Sequence, residues 1–210
     1  LTPIHFKYQE VFNKLGFQID LSKDHSYPMP KTLNNFEITN NNPKVGIAPF
    51  AKHIGKVYPL DLMQKIIAYL SQNNQVFLFG FGDELKILEK WKSSYKNVDC
   101  PSSNSNFKQE VELISNLDLM ISMDSANGHI ASIYNVPVIT IWGLTHPFTG
   151  FSTFNSIEEN QFTVDRTKFP LIPTSIYGNK KIKGYEDAMR SIDLNGLLFR
   201  ADQILNQTSS

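Results

Sequence analysis

Short apolar runs alternate with segments of helical period along most of the chain, beginning near residue 45. The runs have the length of β-strands and occupy residues 45–49, 75–79, 119–123 and 137–141, with a weaker run near Val98. Between them, apolar positions recur at helical spacing over residues 59–73, 84–92, 107–116 and 125–134. Because crossover connections between parallel strands are right-handed, this order predicts an α/β fold, a Rossmann-like open parallel sheet with helices on both faces.

The first part of the chain does not follow this repeat. One helix is predicted over residues 4–15, and residues 20–43 are polar and rich in turn-forming residues. We interpret residues 1–43 as a helix with an interdomain connector, and residues 44–210 as one Rossmann-like domain. An ordinary long surface loop is the alternative for residues 20–43, although loops of this length are uncommon inside compact domains.

The two termini add two further expectations. Beyond residue 141 the pattern predicts a loop-rich region, closed by a helix over residues 194–205 that Asp193 caps. The first residue is Leu1 rather than methionine, so we expect the chain to be a piece of a longer protein or a processed product, with part of the sequence missing upstream.

Composition narrows the class of protein. In 210 residues, 20 lysines and arginines balance 20 aspartates and glutamates, so no overall field would attract nucleic acid. The single cysteine, Cys100, cannot form an internal disulfide, which is typical of a reducing compartment. No apolar run approaches the ~20 residues that cross a bilayer. These features favour a cytoplasmic protein without a transmembrane segment.

The turn after the fourth predicted strand is the first candidate for a ligand site, since ligands of open α/β sheets bind beyond the carboxyl ends of the strands. It comprises Asp124, Ser125, Ala126, Asn127, Gly128 and His129. Its small residues leave the first amides of the next helix uncovered, which suits a phosphate, and His129 could donate another hydrogen bond. In the alternative interpretation, Asp124 and Ser125 only cap the helix and His129 packs against the sheet.

Two turns at the same predicted edge carry further candidate residues. Lys56 follows the first strand and would face the phosphate, unless it is a solvated loop lysine like Lys52. After the second strand, Gly80 and Gly82 let the backbone approach a ligand, and Glu84 offers a carboxylate for sugar hydroxyls.

The turn after the fifth strand carries Thr145, whose hydroxyl suits a phosphate or sugar oxygen, although a plain turn is equally compatible. The convergence of four such turns on one edge of one sheet favours a single binding site.

Several kinds of site are absent from the sequence. It has no complete Gly-x-Gly-x-x-Gly fingerprint after the first strand, no phosphate loop with Gly-Lys-Ser/Thr, no Gly-x-Ser-x-Gly elbow and no His-Glu-x-x-His pair. It also lacks an Asp-x-Asp pair at a strand end, so we expect no metal ion and no cofactor. Lysine, histidine and helix amides would then neutralise the phosphate charge.

Two segments resemble a known family. Residues 124–131 and 137–145 resemble the Asp-Thr/Ser-Gly-x-x-His-x-Ala and downstream Gly-x-Thr signature of glycosyltransferase family 9. These are the ADP-heptose:lipopolysaccharide heptosyltransferases. Residues 56–59, Lys-Val-Tyr-Pro, resemble the Lys-x-Trp-Pro element of that family, and the similarity extends over roughly residues 45–150.

The resemblance implies that the chain is the C-terminal, donor-binding half of a GT-B glycosyltransferase and that it cannot transfer sugar alone. It places the donor diphosphate on Lys56 and residues 125–129, the donor sugar near Asp124 and Thr145, and the nucleoside near residues 80–84. The donor would be ADP-heptose in inverting, metal-independent transfer during lipopolysaccharide core synthesis. The lipid-linked saccharide acceptor and the catalytic base would belong to the missing N-terminal domain, and the protein could be peripheral at the inner membrane.

Two other functions remain open from the residues alone. One is a stand-alone module that binds a nucleotide or phosphosugar without catalysis, and the other is a nucleotide-sugar epimerase. The length of the parent protein separates the first from a transferase, and a preference for UDP would favour the epimerase.

Overall fold

The computed structural model describes residues 1–22, 26–33, 36, 41–180 and 182–208. Part of the predicted connector lies outside the described residues, namely residues 23–25, 34–35 and 37–40. Residues 181 and 209–210 also lie outside them. The strands β1 to β6 are Lys44–Ala48, Gln75–Leu78, Val98–Asp99, Leu119–Met123, Val138–Ile141 and Gln161–Phe162. The helices α1 to α6 are Ile4–Lys14, Leu60–Leu70, Glu84–Ser94, Phe107–Ile114, Ala126–Ile133 and Leu194–Thr208.

The strands form one sheet in which every neighbouring pair is parallel, in the order β3-β2-β1-β4-β5-β6. This is the strand order of the Rossmann fold, so the predicted fold is confirmed. The chain winds outward from β1 in one direction through β2 and β3, and in the other direction from β4. The order therefore reverses between β1 and β4, and the crevice beyond their carboxyl ends is the place where such sheets bind ligands.

Helices cover both faces of the sheet, because its strands are apolar on both sides. One core contains side chains such as Ile47, Leu78 and Ile121, packed against α2, α3 and α6. The other core contains Phe77 and Met120 with residues of α4 and α5. Strands buried on both faces appear in a sequence as continuous apolar runs, which explains why the central strands were predictable.

The structure departs from the predicted elements mainly at their ends. Most boundaries shift by one to three residues, and the short strand Gln161–Phe162 lies in the region predicted as loops. The predicted cap of α6 is confirmed, since the Gly196 amide donates to the Asp193 carboxylate at 2.9 Å. Among the described helices, none is long and apolar enough to cross a lipid bilayer.

The N-terminal segment lies against the domain with few buried side chains. Helix α1 buries no residue fully, and the Ile4 amide donates to the Gly150 carbonyl at 2.8 Å. Further along, the Lys31 amide donates to Ser115 Oγ at 2.9 Å, and Asn116 donates to the Lys31 carbonyl at 2.7 Å. The described part of the predicted connector is thus attached to the C-terminal end of α4.

Candidate functional site

A cleft of about 560 Å³ lies at the crevice between the carboxyl ends of β1 and β4. The turns after β1, β2 and β4 contribute to its wall, as the parallel topology requires. The predicted site residues that line this cleft are Lys56, Gly80, Glu84, Asp124, Ser125, Ala126 and Asn127. The structure therefore brings together side chains from three predicted turns that are up to 71 positions apart in the sequence, from Lys56 to Asn127.

The amino terminus of α5 forms one wall of the cleft. Helix α5 starts at Ala126 after the extended residue Ser125, whose side chain makes no capping hydrogen bond. Ser125 Oγ is buried without a hydrogen-bond partner among the described residues, contrary to the alternative in which Ser125 caps the helix. The first amides of a helix have no intrahelical acceptor and carry its positive dipole end. An unpaired hydroxyl beside free amides is an arrangement that suits an anion.

Lys56 and Asp124 form an ion pair inside the cleft. Lys56 Nζ lies 2.5 Å from Asp124 Oδ2, and the two side chains are only 14% and 7% exposed. The solvated-lysine alternative is therefore wrong for Lys56 in this structure, because its ammonium is neither exposed nor unpaired. The expected role of Lys56 toward a diphosphate stays a prediction.

Three backbone segments fix the position of Lys56. Its amide donates to the His53 carbonyl at 2.8 Å, and the Leu144 amide donates to the Gly55 carbonyl at 2.7 Å. A Cβ on Gly143 would lie 2.8 Å from Lys56 Cα and closer still to the Gly55 oxygen. A Cβ on Gly178 would lie 3.2 Å from Lys56 Cγ. Glycines thus allow the turns after β1 and β5 to pack directly against each other.

An internal hydrogen bond stabilises the turn between β2 and α3. The Glu84 carboxylate accepts a hydrogen bond from the Phe81 amide at 3.0 Å, while Gly82 adopts a φ of 59° that favours glycine. A Cβ on Gly80 would lie 2.8 Å from Leu88 Cδ1, so this residue must be small for α3 to pack. Gly80 and Glu84 line the cleft, whereas Gly82 does not.

His129 faces a different space from the rest of its turn. Ala126, Asn127 and Ile130 line the cleft, whereas His129, Ser132 and Ile133 line a second cavity of about 440 Å³. The spacing of each set is that of one helix face, so helical periodicity explains the separation. Burial lowers the pKa of His129, the Asp124 carboxylate raises it and Lys56 lowers it again, with a net lowering. The expected contact of His129 with a phosphate stays a prediction.

Two other predicted residues are packed into the structure behind the cleft. Gly128 is buried, and a Cβ there would collide with Ser122 Oγ, so this glycine allows α5 to approach β4. Thr145 is fully buried, and its Oγ1 has no partner among the described residues. A Cβ on Gly178 would lie 3.0 Å from Thr145 Cγ2 and 3.2 Å from Lys56 Cγ, so Thr145 lies near Lys56. Thr145 does not line the cleft.

Acid should destabilise the fold, because the pKa values of His5, His129 and His146 are all lowered, chiefly by burial. A lowered folded-state pKa means that the unfolded chain binds more protons below the ordinary value of 6.5. Stability is then complete above about pH 6.5 and falls as the pH drops below it. We predict a lower melting temperature at pH 5 than at pH 7, with a smaller fall in His129→Gln. An equal fall in the melting temperatures of the original chain and of His129→Gln would contradict a contribution of His129.

Aromatic residues at the mouth of the cleft were not predicted as site residues. Phe81, Phe107 and Tyr177 line it and are 78%, 70% and 61% exposed. Phe81 stands between the two glycines of the β2–α3 turn, and Phe107 is the first residue of α4. An aromatic residue between two glycines of a strand-end turn, as at Phe81, is a signal that sequence reasoning could have used.

Most of the chain is similar to one known protein family. The family described as Glycosyltransferase family 9 (heptosyltransferase) matches residues 6–170, which is most of the sequence. The chain belongs to glycosyltransferase family 9. The resemblance carried by residues 56–59, 124–131 and 137–145 is thereby confirmed.

Solved structures share the fold of this family 9 chain. E. coli ADP-heptose lps heptosyltransferase II superposes with a TM-score of 0.61 at 17% identity over 82% of the chain. A family 9 glycosyl transferase from Veillonella parvula superposes with a TM-score of 0.62 at 13% identity over 95% of the chain. E. coli heptosyltransferase WaaC with ADP superposes with a TM-score of 0.57 at 15% identity over 79% of the chain. The chain covers 49%, 50% and 45% of these structures, so it spans about half their length. No curated protein sequence matches it.

Three positions distinguish this family 9 chain from the motifs that it resembles. Ala126, where the motif has glycine, is the exposed first residue of α5, and its methyl group lies at the wall of the cleft. Phe50, which stands where the resembled family has the glycine of a Pro-Gly-Ala turn after β1, stacks on Trp91 with ring centroids 6.2 Å apart. Tyr58, which replaces tryptophan, is fully buried, and burial raises its pKa to about 12. Tyr58 therefore belongs to the core rather than to the cleft.

Proposed function

We propose that the cleft binds the nucleotide-sugar donor of an inverting, metal-independent heptosyltransferase, with ADP-heptose as the donor. The observation that carries the proposal is the Ser125 hydroxyl, which has no partner among the described residues, at the uncapped amino terminus of α5 and beside Lys56 in one cleft. This arrangement offers hydrogen-bond donors and a cation to a diphosphate without a metal ion. Membership of family 9, and the ADP in the E. coli WaaC structure, support the identity of the ligand.

The diphosphate would lie over the amino terminus of α5, within reach of the Lys56 ammonium. The nucleoside would then extend toward Gly80 and Glu84, where Phe81 and Phe107 offer exposed rings for a base to stack on. The sugar would extend toward Asp124, with Thr145 behind it. His129 would act through its place on α5, either by reaching a phosphate or by supporting the helix.

In the proposed reaction, an acceptor oxygen attacks the anomeric carbon of the donor sugar, and the bond from that carbon to the diphosphate oxygen breaks. Negative charge develops on the departing nucleoside diphosphate. Lys56 and the α5 amides would stabilise this charge, and one well-placed donor of this kind contributes about 3 kcal/mol. The acceptor proton must pass to a base, which we assign to a second domain together with the site for a lipid-linked saccharide.

The complete transferase is proposed to work in lipopolysaccharide core synthesis, in the cytoplasm and at the surface of the inner membrane. The chain spans about half the length of the similar structures, which is the share expected for one domain of a two-domain GT-B enzyme. This chain alone would therefore bind the donor without transferring its sugar.

The proposal is tested by measuring ADP binding and heptose transfer in buffer that contains EDTA. We expect this chain to bind ADP but to transfer no sugar, and a protein with about 130 to 200 additional N-terminal residues to transfer it. Binding that appears only with magnesium or manganese would contradict the metal-independent site. Transfer by the 210-residue chain alone would contradict the need for a second domain, and a strong preference for UDP would favour an epimerase.

A further inference from the structure

Asp124 pairs with Lys56 inside the cleft to which we assign the donor diphosphate. It directly precedes Ser125, the residue whose hydroxyl and following amides form the proposed phosphate site. Its carboxylate already accepts a charge-assisted hydrogen bond from the Lys56 ammonium at 2.5 Å. The buried Lys56 ammonium is thus neutralised by an anion of the chain itself.

A bound diphosphate and the Asp124 carboxylate would carry like charges around the same ammonium. The Asp124 side chain is only 7% exposed, so water screens this repulsion poorly. Lysine has three N–H donors, but the gain from contacting both anions is reduced by the repulsion between them. Binding therefore favours an arrangement in which the phosphate replaces the carboxylate as the partner of Lys56.

We propose that Asp124 is a displaceable counter-ion for Lys56, which holds the ammonium in place in the empty cleft and yields it to the donor diphosphate. This inference rests on the proposed function and deepens it. Because Asp124 regains Lys56 when the cleft empties, it lowers the affinity for free nucleoside diphosphate. Asp124 thereby favours release of the product of sugar transfer.

A double-mutant cycle on the 210-residue chain tests the exchange, with ADP as the ligand and EDTA present. Asp124→Asn keeps the shape of the side chain and removes its charge, so it should raise ADP affinity on the order of tenfold. In a Lys56→Met background, the same substitution should raise ADP affinity clearly less than in the original chain, because no ion pair then has to be broken and only the repulsion remains. Asp124→Glu, which can still pair with Lys56, should remain within about threefold of the original affinity.

The same four proteins without ligand report on the ion pair itself. Asp124→Asn and Lys56→Met should each lower the melting temperature, and the double variant should lose less than the sum of the two losses.

Equal effects of Asp124→Asn on ADP affinity in both backgrounds would overturn the exchange, because they would show repulsion without competition for Lys56. Weaker ADP binding by Asp124→Asn would also overturn it, and so would additive changes in melting temperature. If the original chain and all variants bind no ADP, the proposed function itself has failed. If ADP binds but the two substitutions act independently, the proposed exchange has failed while the proposed function still stands.

Discussion

Replacing Lys56 with alanine is expected to weaken ADP binding by about 1.5–3 kcal/mol, the range for a charge-assisted hydrogen bond. The substitution should also destabilise the fold by about 2 kcal/mol or more, because it leaves Asp124 unpaired with its side chain only 7% exposed. The ion pair thus gives Lys56 a role in stability in addition to its proposed role in binding. Calorimetric titration and thermal unfolding measure the two effects.

A second variant separates the two roles of Lys56. The double substitution Lys56→Met and Asp124→Asn removes both charges, so it should recover most of the lost stability while ADP binding stays weak. Lys86, which is 83% exposed in a surface ion pair, provides the matched control, and Lys86→Ala should change neither quantity measurably. Normal ADP affinity in the double variant would show that Lys56 is only structural.

Replacing Gly143 with alanine should destabilise the domain by about 2–3 kcal/mol and disturb the site together with it. The new Cβ would lie 2.8 Å from Lys56 Cα and closer to the Gly55 carbonyl oxygen. Both are backbone atoms, so relief requires the turns after β1 and β5 to separate. That separation moves Lys56, and ADP affinity should fall as well. Thermal unfolding and titration of the same sample measure both losses.

Gly184 provides a control for the general cost of replacing a glycine. It has a φ of 86°, and a Cβ there would meet no heavy atom within 4 Å. Gly184→Ala should therefore cost about 1 kcal/mol through backbone strain alone and leave ADP affinity unchanged. Unaltered stability in Gly143→Ala would show that the close contact with the Lys56 turn does not hold that turn in place.

The fold could be predicted because its information lies in local patterns. Strands such as β1 and β4 are buried on both faces, so their sequences are continuous apolar runs, and the helices between them have a clear period. Strand β6 escaped prediction because it has two residues, one of them Gln161, and pairs only with β5. Its existence depends on tertiary contacts rather than on a pattern in the sequence.

The site was predictable as a set of turns but not as a set of contacts. A parallel sheet brings the ends of β1 and β4 to one edge, so the convergence of Lys56 with the turn after β4 follows from topology. The ion pair between Lys56 and Asp124 depends on side-chain conformations 68 residues apart, which no local pattern encodes. The orientation of His129 was available from helical spacing, which groups it with Ser132 and Ile133.

The most direct test of the central claim is to locate bound ADP by methyl NMR of this chain in EDTA. The methyl groups of Ala126 and Ile130 line the cleft, whereas those of Ile133 and Ile182 line other cavities. Added ADP should shift the methyl signals of Ala126 and Ile130, and the shifts should saturate as its concentration rises. The methyl signals of Ile133 and Ile182 should not change. Shifts centred on Ile133 or Ile182, or no shifts at millimolar ADP, would contradict a nucleotide site at the β1–β4 crevice.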